Sequence, residues 1–451
     1  MDKAEVVIVG GGISGLSLAY FLLKKKPDLD IKIIEAENKA GGKIVSENIS
    51  SFLCEAGVNG FLNNKPSTIA LANELGIEPL MGSEHSKVRY ILIDGQLKKV
   101  PEDPLKFFAS SLLSLRGKIR MIGEYFIPPL KEDIDESVQS FVSRRVGTEF
   151  YEKLIDPMST GIYAGDPTKM SMKSCFPKVY WLEKKYGGLI KGLIALKKEK
   201  KNVETAPKSM LMSFRNGMVE LIQSLENKLA SKILKNKKLL DITLNNGLYN
   251  LYMADGEYLQ ATKIVLACPA HESANIVKEF DKELGKLLAS IPYPPLSVVA
   301  FGFKTEQIGF GTGLYGFLVP HREKRKILGC LFDSTIFPNR APQGYVLLRT
   351  MIGGMRSPEL ALLPDEKLIE TALSELRDIL SIKGDPEFIK IFRWQRAIPQ
   401  YQVGHEEKLR KIDERLKSFP GFYLTGNAYR GVSVNDCIQN SIELADKFLS
   451  L

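Results

Sequence analysis

The stretch from Val6 to Glu35 constrains this chain more than any other. Val6–Val9 is an uninterrupted apolar, β-branched run of the kind that forms a parallel strand buried on both faces. It passes without a linker into Gly10-Gly11-Gly12-Ile13-Ser14-Gly15. Leu16, Leu18, Ala19, Leu22 and Leu23 then form a helical stripe that stops before Pro27, a residue the helix interior excludes. A second apolar run, Ile31–Ile34, ends on Glu35. Strand, glycine turn, helix and strand with a terminal acid make a β-α-β unit for a dinucleotide. Gly10 permits the tight turn, Gly12 lets a pyrophosphate approach the backbone, and Gly15 allows close helix packing. The helix N-terminus attracts the phosphates, and Glu35 accepts hydrogen bonds from a ribose. A signal peptide is excluded by the acidic start (Asp2, Glu5) and by four glycines within six residues.

The remaining residues bound the class. A length of 451 residues suggests two or three domains. Hydrophobic content of 44% with 25% charge excludes a disordered, collagen-like or polytopic membrane chain. Cys54, Cys175, Cys268, Cys330 and Cys437 are far apart, which predicts free thiols in a reducing compartment and no disulfide or zinc framework. His85, His271, His321 and His405 are scattered, so no metal is expected, and no Ser or Cys sits in a nucleophile elbow. The net charge of +9 is concentrated between Ser171 and Met210, where ten Lys face three Glu. Such a run suits an anionic membrane, an acidic small molecule, a nucleic acid or a solvated face. Phe108, Leu112, Leu115, Ile119, Ile122 and Tyr125 predict a helix over about Leu105–Tyr125, and a second covers Leu189–Leu196. Strands are expected at Ile264–Ala267, Leu296–Phe303, Gly316–Pro320, Ile327–Phe332 and Tyr345–Ile352, before a strand-to-helix passage over Phe422–Asp436.

The string Glu35-Ala36-Glu37-Asn38-Lys39-Ala40-Gly41-Gly42-Lys43 resembles the E-A-x-x-R-x-G-G-[RK] extension of flavin amine oxidases, with Lys39 in place of the usual Arg. Further passages narrow the resemblance to the protoporphyrinogen oxidase family, which includes coproporphyrinogen III oxidases. They are Glu55-Ala56-Gly57-Val58-Asn59-Gly60-Phe61-Leu62, Asp156-Pro157 with Gly161–Pro167, and Phe332-Asp333-Ser334 with Phe337–Pro342. Ile352-Gly353-Gly354, Arg393-Trp394 with Ala397–Tyr401 and Gly404-His405, and Gly426–Cys437 complete the set.

The resemblance implies a mixed α/β and α+β fold, with a Rossmann-like FAD-binding domain of the p-hydroxybenzoate-hydroxylase and amine-oxidase type. A β-sheet substrate domain and a helical insertion complete it. The expected division is 1–65, 205–285 and 405–451 for FAD, 66–100 and 286–404 for substrate, and 101–204 for a helical, membrane-associating region. FAD contacts are implied for Gly10, Gly11, Gly12, Ile13, Ser14, Gly15, Glu35, Ala36, Gly42, Lys43, Gly57, Val58, Asn59, Gly60, Leu239, Trp394, Gly426, Val432, Ser433 and Val434. Ser433 stands where the family has glycine, which predicts a strained turn. Arg89 matches an arginine that pairs with a substrate propionate, while Gly161, Leu318, Leu331 and Met351 match the pocket lining. No side-chain base is identified, since the flavin accepts hydride. The implied activity is oxidation of protoporphyrinogen IX in heme or porphyrin biosynthesis, six electrons in three flavin cycles, with dioxygen as acceptor and hydrogen peroxide as product. Coproporphyrinogen III oxidation, an amine oxidase or desaturase, and a non-catalytic FAD-fold escort protein stay open. The chain is expected in the cytoplasm or peripherally on the cytoplasmic face of a membrane, without nucleic acid. A homodimer interface is the other use for the helical stripes.

Overall fold

The structure is a computed structural model that describes residues 2–200 and 210–449. Lys201 and Lys208 of the basic run, and the expected boundary between 204 and 205, lie outside those residues. Two seven-stranded sheets organise the molecule. In the first, Asp2–Val9 lies parallel between Ile31–Ile34 and Tyr258–Leu266, and Phe422–Leu424 adds in parallel to the end of the latter. Two strands absent from the sequence reading, Leu239–Asn245 and Leu248–Met253, extend it as an antiparallel hairpin. The helix Ile13–Lys25 packs through Leu18 and Leu22 against this sheet and against the helix Val434–Leu449. Ser17 Oγ and Ser441 Oγ are 3.0 Å apart between those helices.

In the second sheet the strand order is Phe388–Trp394, Leu296–Lys304, Tyr345–Gly353, Gly329–Phe332, Gly316–Leu318, Arg89–Ile93 and Gln96–Lys99. All neighbours are antiparallel except Gly316–Leu318 with Arg89–Ile93. Helix Asp365–Leu380 covers one face with Leu368, Ala372, Leu376 and Leu380, a four-residue repeat that forms a buried stripe. The other face packs through Val298, Ala300 and Leu347 on Phe52, Cys54 and Ala56 and carries the candidate site.

The middle region is helical but departs from the expected pattern. The single helix predicted over Leu105–Tyr125 is broken into Pro104–Ala109, Leu115–Ile122 and a 3₁₀ turn, Gly123–Phe126. Ser110 Oγ donates to the Phe107 carbonyl at 2.6 Å, and Ser114 Oγ caps the next helix by accepting from Gly117 N–H at 3.1 Å. These serine bonds end one helix and start the next. Leu112 and Leu113 in the linker are buried, whereas Leu105, Leu115 and Phe126 are 81%, 74% and 80% exposed. Apart from Leu112, the predicted stripe therefore faces outward. No helix among the described residues is long and apolar enough to cross a membrane.

Candidate active site

Three of the four glycines of the first turn are constrained in three different ways. Gly10 has φ +111°, and a Cβ there would lie 3.0 Å from Ala267 C and Cys268 N. A Cβ on Gly15 would lie 2.0 Å from the Gly10 carbonyl oxygen, so this position seals helix against strand. Gly12 is extended (φ −79°, ψ 179°), and its Cβ would meet only Gly42 Cα at 4.0 Å. Gly12 and Gly42 thus face each other across open space at the N-terminus of helix Ile13–Lys25. Gly41 N–H donates to the Gly11 carbonyl at 2.8 Å and fixes the two glycine turns together. Glu35 is buried, with Oε2 accepting from Gly11 N–H at 2.7 Å and Oε1 from Glu37 N–H at 2.9 Å. Ala36 is exposed beside it, Leu239 is buried under the same edge, and Gly426 has no atom closer to its Cβ position than Ala267 O at 3.9 Å. Ile13 and Ser14 form the first turn of the helix, and Ser14 is buried.

Lys43 adds a cation. Its ammonium donates to the Arg396 and Ala397 carbonyls and lies 5.1 Å from the centre of the Tyr293 ring. Burial lowers its pKa to about 8, and among the described residues it has no carboxylate partner. A cation withdrawn from water without a counter-anion is costly unless an anion joins it. The open glycine cradle, the helix N-terminus and this ammonium fit the pyrophosphate of FAD.

The passage Ala56–Gly60 is gripped from the second sheet. Trp394 Nε1 donates to the Ala56 carbonyl at 2.9 Å, and Arg349 Nη1 donates to the Gly57 carbonyl at 2.7 Å. Asn59 Nδ2 is buried without a partner. Val58 packs against the first core, and Gly60 passes so close to Met212 O that a Cβ would lie 2.4 Å from it. Strand alternation decides what else faces this loop. In register, Gly316 pairs with Arg89 and with Leu331, while Gly329 pairs with Leu318 and with Met351. Cys330, Phe332, Leu348 and Ile352 pack under helix Asp365–Leu380, so Leu331 and Met351 point the other way, and Met351 packs with Trp394. Arg89 is exposed, with its guanidinium 5.2 Å from the centre of the Tyr315 ring. Gly161, on helix Asp156–Tyr163, would place a Cβ 2.7 Å from Leu318 Cδ2 and closes that helix onto the same face.

The C-terminal glycine passage is held by Tyr401, whose hydroxyl accepts from Gly431 N–H at 2.9 Å and donates to the Asn427 carbonyl at 2.6 Å. Val432 packs on the cluster around Tyr401, and Val434 is buried as the first residue of the last helix. The strained turn expected at Ser433 is not present, because Ser433 does not have a positive φ. It caps the helix instead, with Ser433 Oγ accepting from Asp436 N–H at 3.1 Å while Asp436 Oδ2 accepts from Ser433 N–H at 3.2 Å. Other passages interlock. Gln400 Nε2 donates to the Tyr163 carbonyl at 2.8 Å, and Met355 N–H donates to the Ala164 carbonyl at 2.8 Å.

Several groups are removed from acid-base work. Burial lowers His271 and His405 to about 4, and His405 stacks on Tyr401 with ring centres 4.2 Å apart. Burial pushes the Cys437 thiol up to about 11, opposite to an activated thiol. A groove of 970 Å³ opens between helices Pro177–Tyr186 and His405–Leu416, but its charges pair among themselves, as in Lys65–Asp436, Lys173–Glu406 and Arg430–Asp413. Sequence reasoning missed Arg349, and it named Asp333 and Tyr401 only within motifs, without a role. The available signal was a lone charge, Arg349, inside the run Val346–Ile352, whose other members are apolar except Thr350.

Residues 13–448 match the model of the flavin-containing amine oxidoreductase family. The coproporphyrinogen III oxidase of Bacillus subtilis is 30% identical over 97% of this chain and 96% of its own length. The chloroplastic protoporphyrinogen oxidase 1 of Arabidopsis thaliana is 33% identical over 98% of this chain and 87% of its own. A crystal structure of a candidate protoporphyrinogen oxidase from Exiguobacterium sp. 255-15 superposes with a TM-score of 0.85 at 27% identity, covering 100% of this chain and 99% of that one. This chain therefore belongs to the flavin-containing amine oxidoreductase family, in its protoporphyrinogen oxidase branch, and is an FAD-dependent oxidoreductase.

Proposed function

We propose that this chain oxidises protoporphyrinogen IX to protoporphyrin IX, passing six electrons to dioxygen in three flavin cycles with three hydrogen peroxide molecules formed. The observation that carries this reading is the single sheet face on which Arg89, Leu318, Leu331 and Met351 meet Trp394 and the loop Ala56–Gly60. FAD supplies the hydride acceptor. The chain supplies the rest: Gly12, Gly42 and Lys43 receive the pyrophosphate, Glu35 the ribose, and Trp394 with Val432–Val434 the flavin end. Leu318, Leu331, Met351 and helix Asp156–Tyr163 exclude water from an apolar macrocycle, and Arg89 at the rim pairs with a propionate. The similarity to the B. subtilis relative supports a second reading, coproporphyrinogen III as substrate. That substrate carries propionates where protoporphyrinogen IX has vinyl groups.

The outward apolar residues Leu105, Leu115, Ile119 and Phe126, interleaved with Lys106, Arg116 and Lys118, suit peripheral seating on an anionic membrane, or a homodimer contact. Part of the basic run is already neutralised, since Lys173 pairs with Glu406 at 2.9 Å and Lys184 with Asp133 at 3.7 Å. The deciding experiment is anaerobic. Protein holding FAD is yellow and bleaches on addition of protoporphyrinogen IX, and kcat/KM for the two porphyrinogens ranks them. A flavin that stays oxidised with both substrates refutes the reading.

A further inference from the structure

Arg349 is a buried cation that the proposed reaction leaves without a task. It lies in the middle of strand Tyr345–Gly353, on the face that carries Met351 two residues on and beside Leu331 in the neighbouring strand. The residue is 2% exposed. Its guanidinium is used in two directions: Nε donates to Asp333 Oδ2 at 2.7 Å and Nη1 donates to the Gly57 carbonyl at 2.7 Å. Asp333 is equally buried, and its Oδ1 has no partner. A carboxylate with one unsatisfied oxygen is an expensive way to fill a core. Its effect here is directional, because its bond to Nε turns the Arg349 guanidinium so that Nη1 meets one main-chain oxygen.

That oxygen belongs to the loop beneath the expected flavin. The strand before it, Phe52–Glu55, is fixed by a second buried pair, Arg340 with Glu55 at 3.7 Å, and by Trp394 on Ala56. The loop therefore enters its turn with three successive residues tied down, Glu55, Ala56 and Gly57. Only the last is tied by a charged group from the middle of the substrate face.

We propose that Arg349, oriented by Asp333, is a positioning residue for the flavin: it holds the Gly57 carbonyl from the substrate sheet and sets the electrostatic potential beneath the cofactor. This rests on Ala56–Gly60 being the flavin loop. A cation close to the flavin favours the reduced, more negative state, and Asp333 partly cancels that field. The two residues pull the reduction potential in opposite directions.

The test measures the midpoint potential, the visible spectrum and the FAD content of the holoprotein by dye-equilibrated anaerobic reduction, without porphyrinogen. Arg349→Gln is expected to weaken binding of reduced relative to oxidised FAD at least tenfold, a fall of about 30 mV for a two-electron couple. Asp333→Asn, which leaves the guanidinium and its bond to Gly57 in place, is expected to raise the potential. In turnover, Arg349→Lys lowers kcat with KM for the porphyrinogen within twofold. If Arg349→Gln does not fold, the rise in potential of Asp333→Asn and the loss of kcat at near-constant KM in Arg349→Lys decide the matter. Potentials that stay at the wild-type value, or that move in the same direction in the Arg349 and Asp333 variants, overturn the proposal and leave the pair a packing element. Opposite shifts in a protein that oxidises no porphyrinogen uphold this proposal and refute the substrate.

Discussion

Gly12→Val separates cofactor binding from folding, because the structure gives the apoprotein no reason to object to it. The backbone at Gly12 is extended, a conformation ordinary for valine, and the nearest atom to the new Cβ is Gly42 Cα at 4.0 Å. A substitution that meets no neighbour shifts stability by only about 0.5 kcal/mol. The same side chain fills the space in which the pyrophosphate meets the helix N-terminus. Losing two backbone-to-phosphate bonds, each about 1.5–3 kcal/mol, removes roughly 3–6 kcal/mol of binding. That is about 10²–10⁴ in Kd. Gly15→Ala is the contrast: its Cβ would lie 2.0 Å from the Gly10 oxygen, so the β-α-β unit itself is disrupted. The assay pairs FAD titration of apoprotein, followed by quenching of flavin fluorescence, with thermal unfolding of the same samples. Gly12→Val should keep the apoprotein Tm and lose FAD, whereas Gly15→Ala should lose both. A Gly12→Val protein that purifies with a full complement of FAD refutes the placement of the pyrophosphate.

Other expectations can be checked on the same material. Arg89→Ala should raise KM for porphyrinogen about tenfold, as for roughly 1.4 kcal/mol of uniform binding, with kcat little changed; an unaltered KM removes Arg89 from the site. FAD affinity should be flat below pH 7 and fall as the pH rises past about 8, where apoprotein Lys43 loses its proton and the incoming phosphate must restore it. Lys43→Arg should abolish that slope, and an identical slope in the variant would assign it to another group. In co-sedimentation, the protein should pellet with anionic liposomes at low salt, less at high salt, and Phe126→Asp with Leu115→Asp should release it. Protein that stays in the supernatant throughout would leave residues 104–126 for a second copy of the chain.

The β-α-β unit was legible because its chemistry is local. A glycine that must admit a phosphate and a glycine that must admit a carbonyl leave their mark within six residues of each other. The helix over Leu105–Tyr125 was expected to be unbroken because periodicity reports a face and not its interruptions, while Ser110 and Ser114 end and restart the helix by bonds that hydropathy ignores. The hairpin Leu239–Met253 was missed although Asn246 and Gly247, both with positive φ, are the residues a two-residue turn demands. Arg349 and Asp333 lie sixteen positions apart, and their pairing depends on strand register, which single-chain spacing does not carry.

The contact between the first and last helices sets a schedule for synthesis. Ser17 and Ser441 meet across 424 residues, and Ser441 Oγ also donates to the Ser14 carbonyl, so the glycine turn is walled on one side by the final helix. At roughly 5–20 residues per second, the glycine turn waits some 20–80 s on the ribosome before its opposite wall emerges. During that interval Leu18 and Leu22 already have the strands Asp2–Val9 and Ile31–Ile34 to pack on, but the side of Ile13–Lys25 that Val434–Leu449 covers stays open. The cradle for the cofactor is therefore completed only once the residues of that last helix have been made, long after its glycine turn.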